Sequence, residues 1–244
     1  MQQSYSAHME GKQVMKEGQT IEDGQIIEEG QAVKEVLSTE GMQSIEEVFH
    51  GRKLALSDDI LMSVEKPARY IGGEYNAVMK DPAKVRIRFA FCFPDVYEIG
   101  MSHLGLQILY DTFNAMEDVW CERVYSPWVD LDAIMRKEHI PLFALESQDP
   151  IGEFDFLGIT IQYEMCYTNI LQVLDLARIP ILAAERGEDC PIVIGGGPCT
   201  YNPEPLADFF DIFYIGEGET RYRELFTLYE ECRERKLGRM EFLR

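Results

Sequence analysis

The chain has 244 residues, 46% of them hydrophobic, which is room for one ordinary domain with extensions. Its formal net charge of −20, from 23 Lys and Arg against 43 Asp and Glu, excludes a large nucleic-acid footprint and docking on an anionic membrane surface, both of which need cations. Six cysteines without any C-x-x-C spacing exclude a zinc ribbon, and no apolar run approaches the roughly 20 residues of a bilayer span. A soluble, cytoplasmic protein in a reducing compartment is expected, since no signal-peptide-like run opens the chain.

Residues 1–50 are acidic and carry Glu17-Gly-Gln, Asp23-Gly-Gln and Glu29-Gly-Gln at a six-residue period. Three imperfect copies are too few for a β-helix, and the segment has too little apolar surface to offset the entropy of ordering it. It reads as a disordered extension with a transient helix near Ser44–His50. Residues 51–84 read as a lead-in: one or two helical turns between Leu54 and Val64, then a loop, Lys66-Pro-Ala-Arg-Tyr-Ile-Gly-Gly73.

The α/β region, residues 85–218, opens with a strand at Val85–Cys92, ended by Phe93-Pro94-Asp95. Ser102 is placed to cap a helix running to about Met116, with Leu104, Ile108, Leu109 and Phe113 on one face. A second strand at Val119–Val124, a helix at Asp130–Glu138 and a strand remnant at Pro141–Leu145 follow. Phe156–Ile161 is the third core strand. A helix over 165–177 turns Met165, Ile170, Leu171, Leu174 and Ala177 inward, and Ile181–Arg186 resumes it beyond Pro180. The runs Pro191-Ile-Val-Ile-Gly-Gly-Gly-Pro198 and Ile212-Phe-Tyr-Ile-Gly-Glu-Gly-Glu219 are buried strands ending in glycines, where backbone can approach a ligand without a Cβ in the way. A charged helix over 219–244 closes the chain.

Strand and helix alternate throughout, which calls for a parallel five-stranded sheet with helices on both faces, flavodoxin-like in the order 2-1-3-4-5. That topology gathers three loops at one carboxyl edge: Pro94–Ser102, Thr160–Cys166 and Gly195–Asn202. Asp95 either orients a ligand group or caps its turn, and Tyr97 either faces a ligand or packs under the first helix. Gly195, Gly196 and Gly197 exceed what close packing alone needs. Gly216, Glu217 and Gly218 either contact a ligand or form a helix entry, where acids suit the macrodipole. His103 reads as a cap or surface residue, and Cys166 and Cys199 as thiols at the mouth. A flavin or nucleotide phosphate is disfavoured, because residues 93–101 hold two acids and no Ser or Thr.

Asp95-x-Tyr97-x-x-Gly100 resembles the Asp-x-His-x-x-Gly loop of cobalamin-binding domains, with Tyr97 at the position of the His that takes the lower axial place on cobalt. The resemblance puts Thr160 and Gly195-Gly196 along the slot for the cofactor's nucleotide tail. A wider resemblance covers residues 52–244. Lys66-Pro-Ala-Arg-Tyr-Ile-Gly-Gly-Glu74, Phe93-Pro-Asp-Val-Tyr-Glu-Ile-Gly-Met-Ser-His-Leu-Gly105, Gly195-Gly-Gly-Pro198, Asn202-Pro-Glu-Pro205 and Gly216-Glu-Gly-Glu219 together resemble the amino-terminal region of cobalamin-binding radical S-adenosylmethionine (radical SAM) proteins. That resemblance implies a cofactor set of Asp95, Tyr97, Gly100, Ser102, Thr160, Gly195, Gly196, Gly197, Gly216, Glu217 and Gly218. It also implies a catalytic barrel, in cis or as a separate chain, holding a [4Fe–4S] cluster and S-adenosylmethionine through a Cys-x-x-x-Cys-x-x-Cys motif that these 244 residues lack. The expected function is a cobalamin-binding-like module truncated before its catalytic half. The alternative is a non-catalytic docking module that has lost the cofactor. Radical SAM methylases that resemble the chain often lack the axial His as well, so Tyr97 leaves both readings open.

Overall fold

The computed structural model describes residues 53–244; the six-residue repeat and the helix expected near Ser44–His50 lie outside the described residues. Five strands form one parallel sheet: β1 (Ile87–Phe93), β2 (Val119–Tyr125), β3 (Phe156–Thr160), β4 (Ile192–Gly196) and β5 (Ile212–Phe213). Their order is β2-β1-β3-β4-β5, so the chain doubles back between β1 and β3 as the alternation of elements predicts. Around the sheet lie α1 (Asp58–Ser63), α2 (Tyr97–Gly100), α3 (Leu104–Asn114), α4 (Val129–Glu138), α5 (Tyr167–Leu176), α6 (Gly218–Glu234) and α7 (Arg239–Phe242). None of these is long and apolar enough to cross a membrane.

Strand periodicity sorts the core into two layers. Phe89, Phe91, Phe156, Ile192 and Ile194 face α3, α6 and α7, meeting Leu106, Tyr110, Phe113, Tyr222, Phe226 and Phe242. Ala90, Cys92, Leu157, Ile159 and Val193 face α4 and α5, meeting Leu131, Met135, Ile170, Val173 and Leu174. Phe89 sits among Phe113, Phe156, Tyr222 and Phe226, with ring centroids 5.0–5.9 Å apart.

β2 is an edge strand, yet all seven of its residues are buried, Glu122 and Arg123 included. The lead-in explains this. Trp120 Nε1 donates to the Val78 carbonyl at 2.9 Å, and Lys80 Nζ donates to the carbonyls of Asn114, Met116 and Val119. Arg123 pairs with Glu146 at 2.6 Å and Glu74 at 3.2 Å, while Arg88 pairs with Glu122 at 2.6 Å. The free ladder of this edge is taken up by Asn114, which pairs with both backbone groups of Cys121, by Glu146 and Leu145, which pair with Arg123 N and O, and by Lys80 of the lead-in on the Val119 carbonyl.

Several expectations need correction. The cap of α3 is His103, whose Nδ1 accepts from Leu106 N at 3.0 Å; Ser102 Oγ instead donates to the Ile99 carbonyl. The buried face of α3 is Leu106, Tyr110 and Phe113, spaced four and three apart, so Leu104 and Ile108 point outward. Pro141–Leu145 makes only an isolated antiparallel bridge, Phe143 with Pro150. The helix after β3 starts at Tyr167, behind a 3₁₀ turn that leaves Met165 exposed, and Ala183–Glu185 is a 3₁₀ turn and not a resumed helix.

Candidate ligand cleft at the carboxyl edge

The loops after β1, β3 and β4 do gather at one edge. The Asp95 carboxylate accepts from the Val96 N–H at 2.7 Å and from the Tyr163 hydroxyl, tying the first loop to the second. Asn169 Nδ2 donates to the Pro94 carbonyl at 2.9 Å. Ile161 N donates to Gly196 O, and Cys199 N to Ile161 O, tying the second loop to the third.

Between these strand ends and the amino-terminal turns of α3 and α6 lies a cleft of about 180 Å³. Its floor is Phe91, Gly158, Thr160, Ile194 and Gly196, all on the sheet face that looks toward α3 and α6. Its walls are His103, Gly105 and Leu109 on one side and Tyr214, Gly216, Gly218 and Tyr222 on the other. Tyr214 and Tyr222 stack at 4.7 Å with their planes 14° apart. Glu219 is the only formally charged lining residue, so the interior suits a flat, uncharged group.

The three consecutive glycines have separate roles. A Cβ on Gly196 would meet nothing within 4 Å; it would stand in the open cleft. A Cβ on Gly195 would meet Phe213, Ile161 and Phe210 at 3.0–3.1 Å, because one residue along a strand means the opposite face. Gly195 therefore belongs to the α5-side core and does not line the cleft. Gly197 turns the chain at φ 96°, and a Cβ there would press on the Ile161 backbone at 3.0 Å.

A polar relay runs along the mouth. Gln162 Nε2 donates to Thr160 Oγ1 at 2.6 Å, and the Gln162 side chain also hydrogen-bonds His103. With His103 Nδ1 accepting from Leu106 N, its Nε2 carries the proton and is the nitrogen left to serve Gln162. Burial lowers the His103 pKa below its ordinary value, which keeps the ring neutral and the relay intact. Since Thr160 Oγ1 already accepts from Gln162, its own proton is free to serve a ligand.

Of the residues named from the sequence, Thr160, Gly196, Gly197, Gly216 and Gly218 line one cleft. Asp95, Tyr97, Gly100, Ser102, Gly195 and Glu217 do not. Tyr97 packs edge-on against Tyr125 at 5.5 Å, and its hydroxyl is pushed up to about 12 by burial and by Glu74. Gly100 exists for Tyr125, whose ring would lie 2.3 Å from a Cβ. Glu217 caps α6 through its carbonyl, which accepts from Tyr214 and Thr220 hydroxyls, and its side chain is exposed. His103, expected as a cap or surface residue, is the cap and also lines the cleft; Gln162, Tyr214 and Tyr222 line it without having been named from the sequence. Gln162 and Tyr214 carry one signal, their place just after a strand end. Among the described residues no three His, Cys, Asp or Glu side chains converge to hold a metal, so they do not fit a [4Fe–4S] cluster.

The rim of the same edge is apolar. Leu104 at the start of α3 and Met165, Tyr201 and Ile215 in the segments after β3, β4 and β5 are 61–87% exposed.

Residues 105–244, more than half of the chain, match the family described as radical SAM proteins, N-terminal. An uncharacterized protein of Methanocaldococcus jannaschii is 28% identical over 131 residues, covering 53% of this chain and 24% of that protein. The chain therefore spans about a quarter of that relative's length. With α6, every strand but β1 and all of α3 after its first residue inside the matched stretch, the chain belongs to the family of radical SAM protein N-terminal regions.

Proposed function

We propose that this chain is a cobalamin-binding module of a radical SAM enzyme, with the cleft as the slot for the cofactor's nucleotide tail. The observation that carries the reading is Gly196. The sheet ends in a strand residue whose missing side chain leaves room for a planar group on an apolar floor beside a hydroxyl donor. Thr160 would donate to the tail, Tyr214 and Tyr222 would flank it, and His103 with Gln162 would hold Thr160 in place. Bound cobalamin would supply cobalt chemistry to a catalytic domain that carries the [4Fe–4S] cluster and S-adenosylmethionine. Tyr97 supplies no lower axial ligand on this reading: it is neutral and packed against Tyr125. The apolar rim of Leu104, Met165, Tyr201 and Ile215 is the face on which the catalytic domain would rest, in cis or as a separate chain.

The second reading, an interaction module that has lost the cofactor, is favoured by Tyr97 alone. Retention of hydroxocobalamin through desalting separates the two. A protein that keeps a corrin spectrum supports the first reading; a colourless protein that still binds a radical SAM domain supports the second.

A further inference from the structure

The polar groups of the glycine-lined cleft that serve no protein partner fall into two sets. Two hydroxyls belong to its inner wall. Thr160 is 7% exposed, and its Oγ1 accepts from Gln162 Nε2 at 2.6 Å, which leaves its proton to be given. Tyr222 is 6% exposed and borders the cleft, and its hydroxyl hydrogen-bonds no described residue. That hydroxyl is not among the described atoms sealed in the core without a partner, so the surface it keeps opens on the cleft. Burial pushes its pKa up, which holds it as a neutral phenol with a proton to donate. At the mouth stands one carboxylate, Glu219, exposed in the first turn of α6 and without a cation or hydrogen-bond donor among the described residues.

The two ends ask for different partners. The inner protons need acceptors, and an apolar cleft offers none of its own. The carboxylate only accepts, so it needs a donor. Between them the floor is apolar, with Phe91, Ile194 and the strand glycines Gly158 and Gly196. A matching ligand is a flat ring with acceptors on its inner edge and hydroxyls on its outer one. A nucleoside has this polarity: ring nitrogens on the base, then a sugar whose hydroxyls a carboxylate binds at the strand ends of α/β sheets. A phosphate at the mouth would instead face the like charge of Glu219.

We propose that the cleft is a nucleoside site, an inference that rests on its reading as a ligand slot: a base whose acceptors meet the Thr160 and Tyr222 hydroxyls, with a sugar hydroxyl donating to Glu219. The nucleotide tail of cobalamin and the adenosine part of S-adenosylmethionine share this chemistry. Glu219 thereby has a function besides complementing the α6 macrodipole.

The probes are α-ribazole, the dimethylbenzimidazole nucleoside of the cobalamin tail, and S-adenosylhomocysteine, each beside its bare base, titrated into the full chain and read by ligand-detected NMR. At least one nucleoside binds the wild type saturably. Glu219→Ala, at an exposed position, leaves the chain folded, weakens that nucleoside at least about tenfold and leaves its bare base unaffected. Thr160→Val and Tyr222→Phe, both close in shape to the wild type, each weaken nucleoside and bare base alike, by about fivefold. Tighter binding of α-ribazole assigns the site to the tail; tighter binding of S-adenosylhomocysteine upholds the nucleoside class and ends the cobalamin reading. If neither nucleoside binds, or if full affinity survives Glu219→Ala or survives both hydroxyl variants, the proposal fails. Retention of hydroxocobalamin by the wild type in that case leaves the cobalamin reading standing.

Discussion

Three neighbouring glycines show how one residue type serves three needs. Gly196→Leu projects into open cleft, so it should leave stability within about 1 kcal/mol of wild type, the span of strand propensities, while abolishing ligand entry. Gly197→Ala forces a Cβ into a left-handed φ against the Ile161 backbone and should cost about 1–3 kcal/mol, read by urea denaturation. His103 adds a pH dependence. Its folded pKa lies below the ordinary 6.5, so between the two values the unfolded chain binds a proton that the folded chain does not. Stability contributed by His103 is therefore complete above about pH 6.5 and is lost as the pH falls through the folded value. His103→Asn keeps a capping acceptor for Leu106 and removes the titration. The wild-type minus variant difference in unfolding free energy should fall on acidification below pH 6.5, and a flat difference would show that the ring is not desolvated.

At the scale of elements, a buried ion pair holds β2 to the segment that follows α4. Arg123 and Glu146 are fully buried, and burial pushes the Glu146 carboxyl up while Arg123 pulls it down. Arg123→Met strands that carboxylate and should cost about 3–5 kcal/mol, whereas Arg123→Met with Glu146→Leu should recover much of the loss, measured by denaturant unfolding. This pair also marks where sequence reading ends. The five strands and their order were legible, because each is a short apolar run closed by Gly, Pro or Asp, and alternation with helices leaves few topologies. Glu122 and Arg123 inside β2 carried no sign of burial, since their partners Arg88, Glu74 and Glu146 lie 23–49 residues away. The inward face of α3 was misread because Leu104 and Ile108 are as apolar as Leu106 and Phe113; only the sheet decides which stripe it buries. In the cleft, the glycines and Thr160 were legible as strand ends. Gly195 was not separable from Gly196 until the last paired residue of β4 fixed which face each takes. Asp95, Tyr97 and Gly100 look like cofactor residues by motif, yet their neighbours Tyr163 and Tyr125, 68 and 25 or more residues on, draw them into packing.

Over the whole molecule, the sheet's carboxyl edge collects a glycine-lined cleft, a neutral polar relay and an apolar rim, while the amino edge is closed by α7 and the buried Asp211–Arg186–Arg239 cluster. If the cleft takes the tail of cobalamin, Tyr97 is a packing residue, and Tyr97→Phe should leave both the visible spectrum and the affinity for hydroxocobalamin within about twofold of wild type, a difference below 0.5 kcal/mol. A changed spectrum would make the phenol a cobalt ligand after all. The most direct measurement is reconstitution of the wild type and Gly196→Leu with hydroxocobalamin, followed by desalting and a visible spectrum. The wild type should keep a corrin spectrum at near one equivalent and the equally folded Gly196→Leu variant should emerge colourless; a colourless wild type, or a variant that retains the cofactor, would contradict the assignment of the cleft.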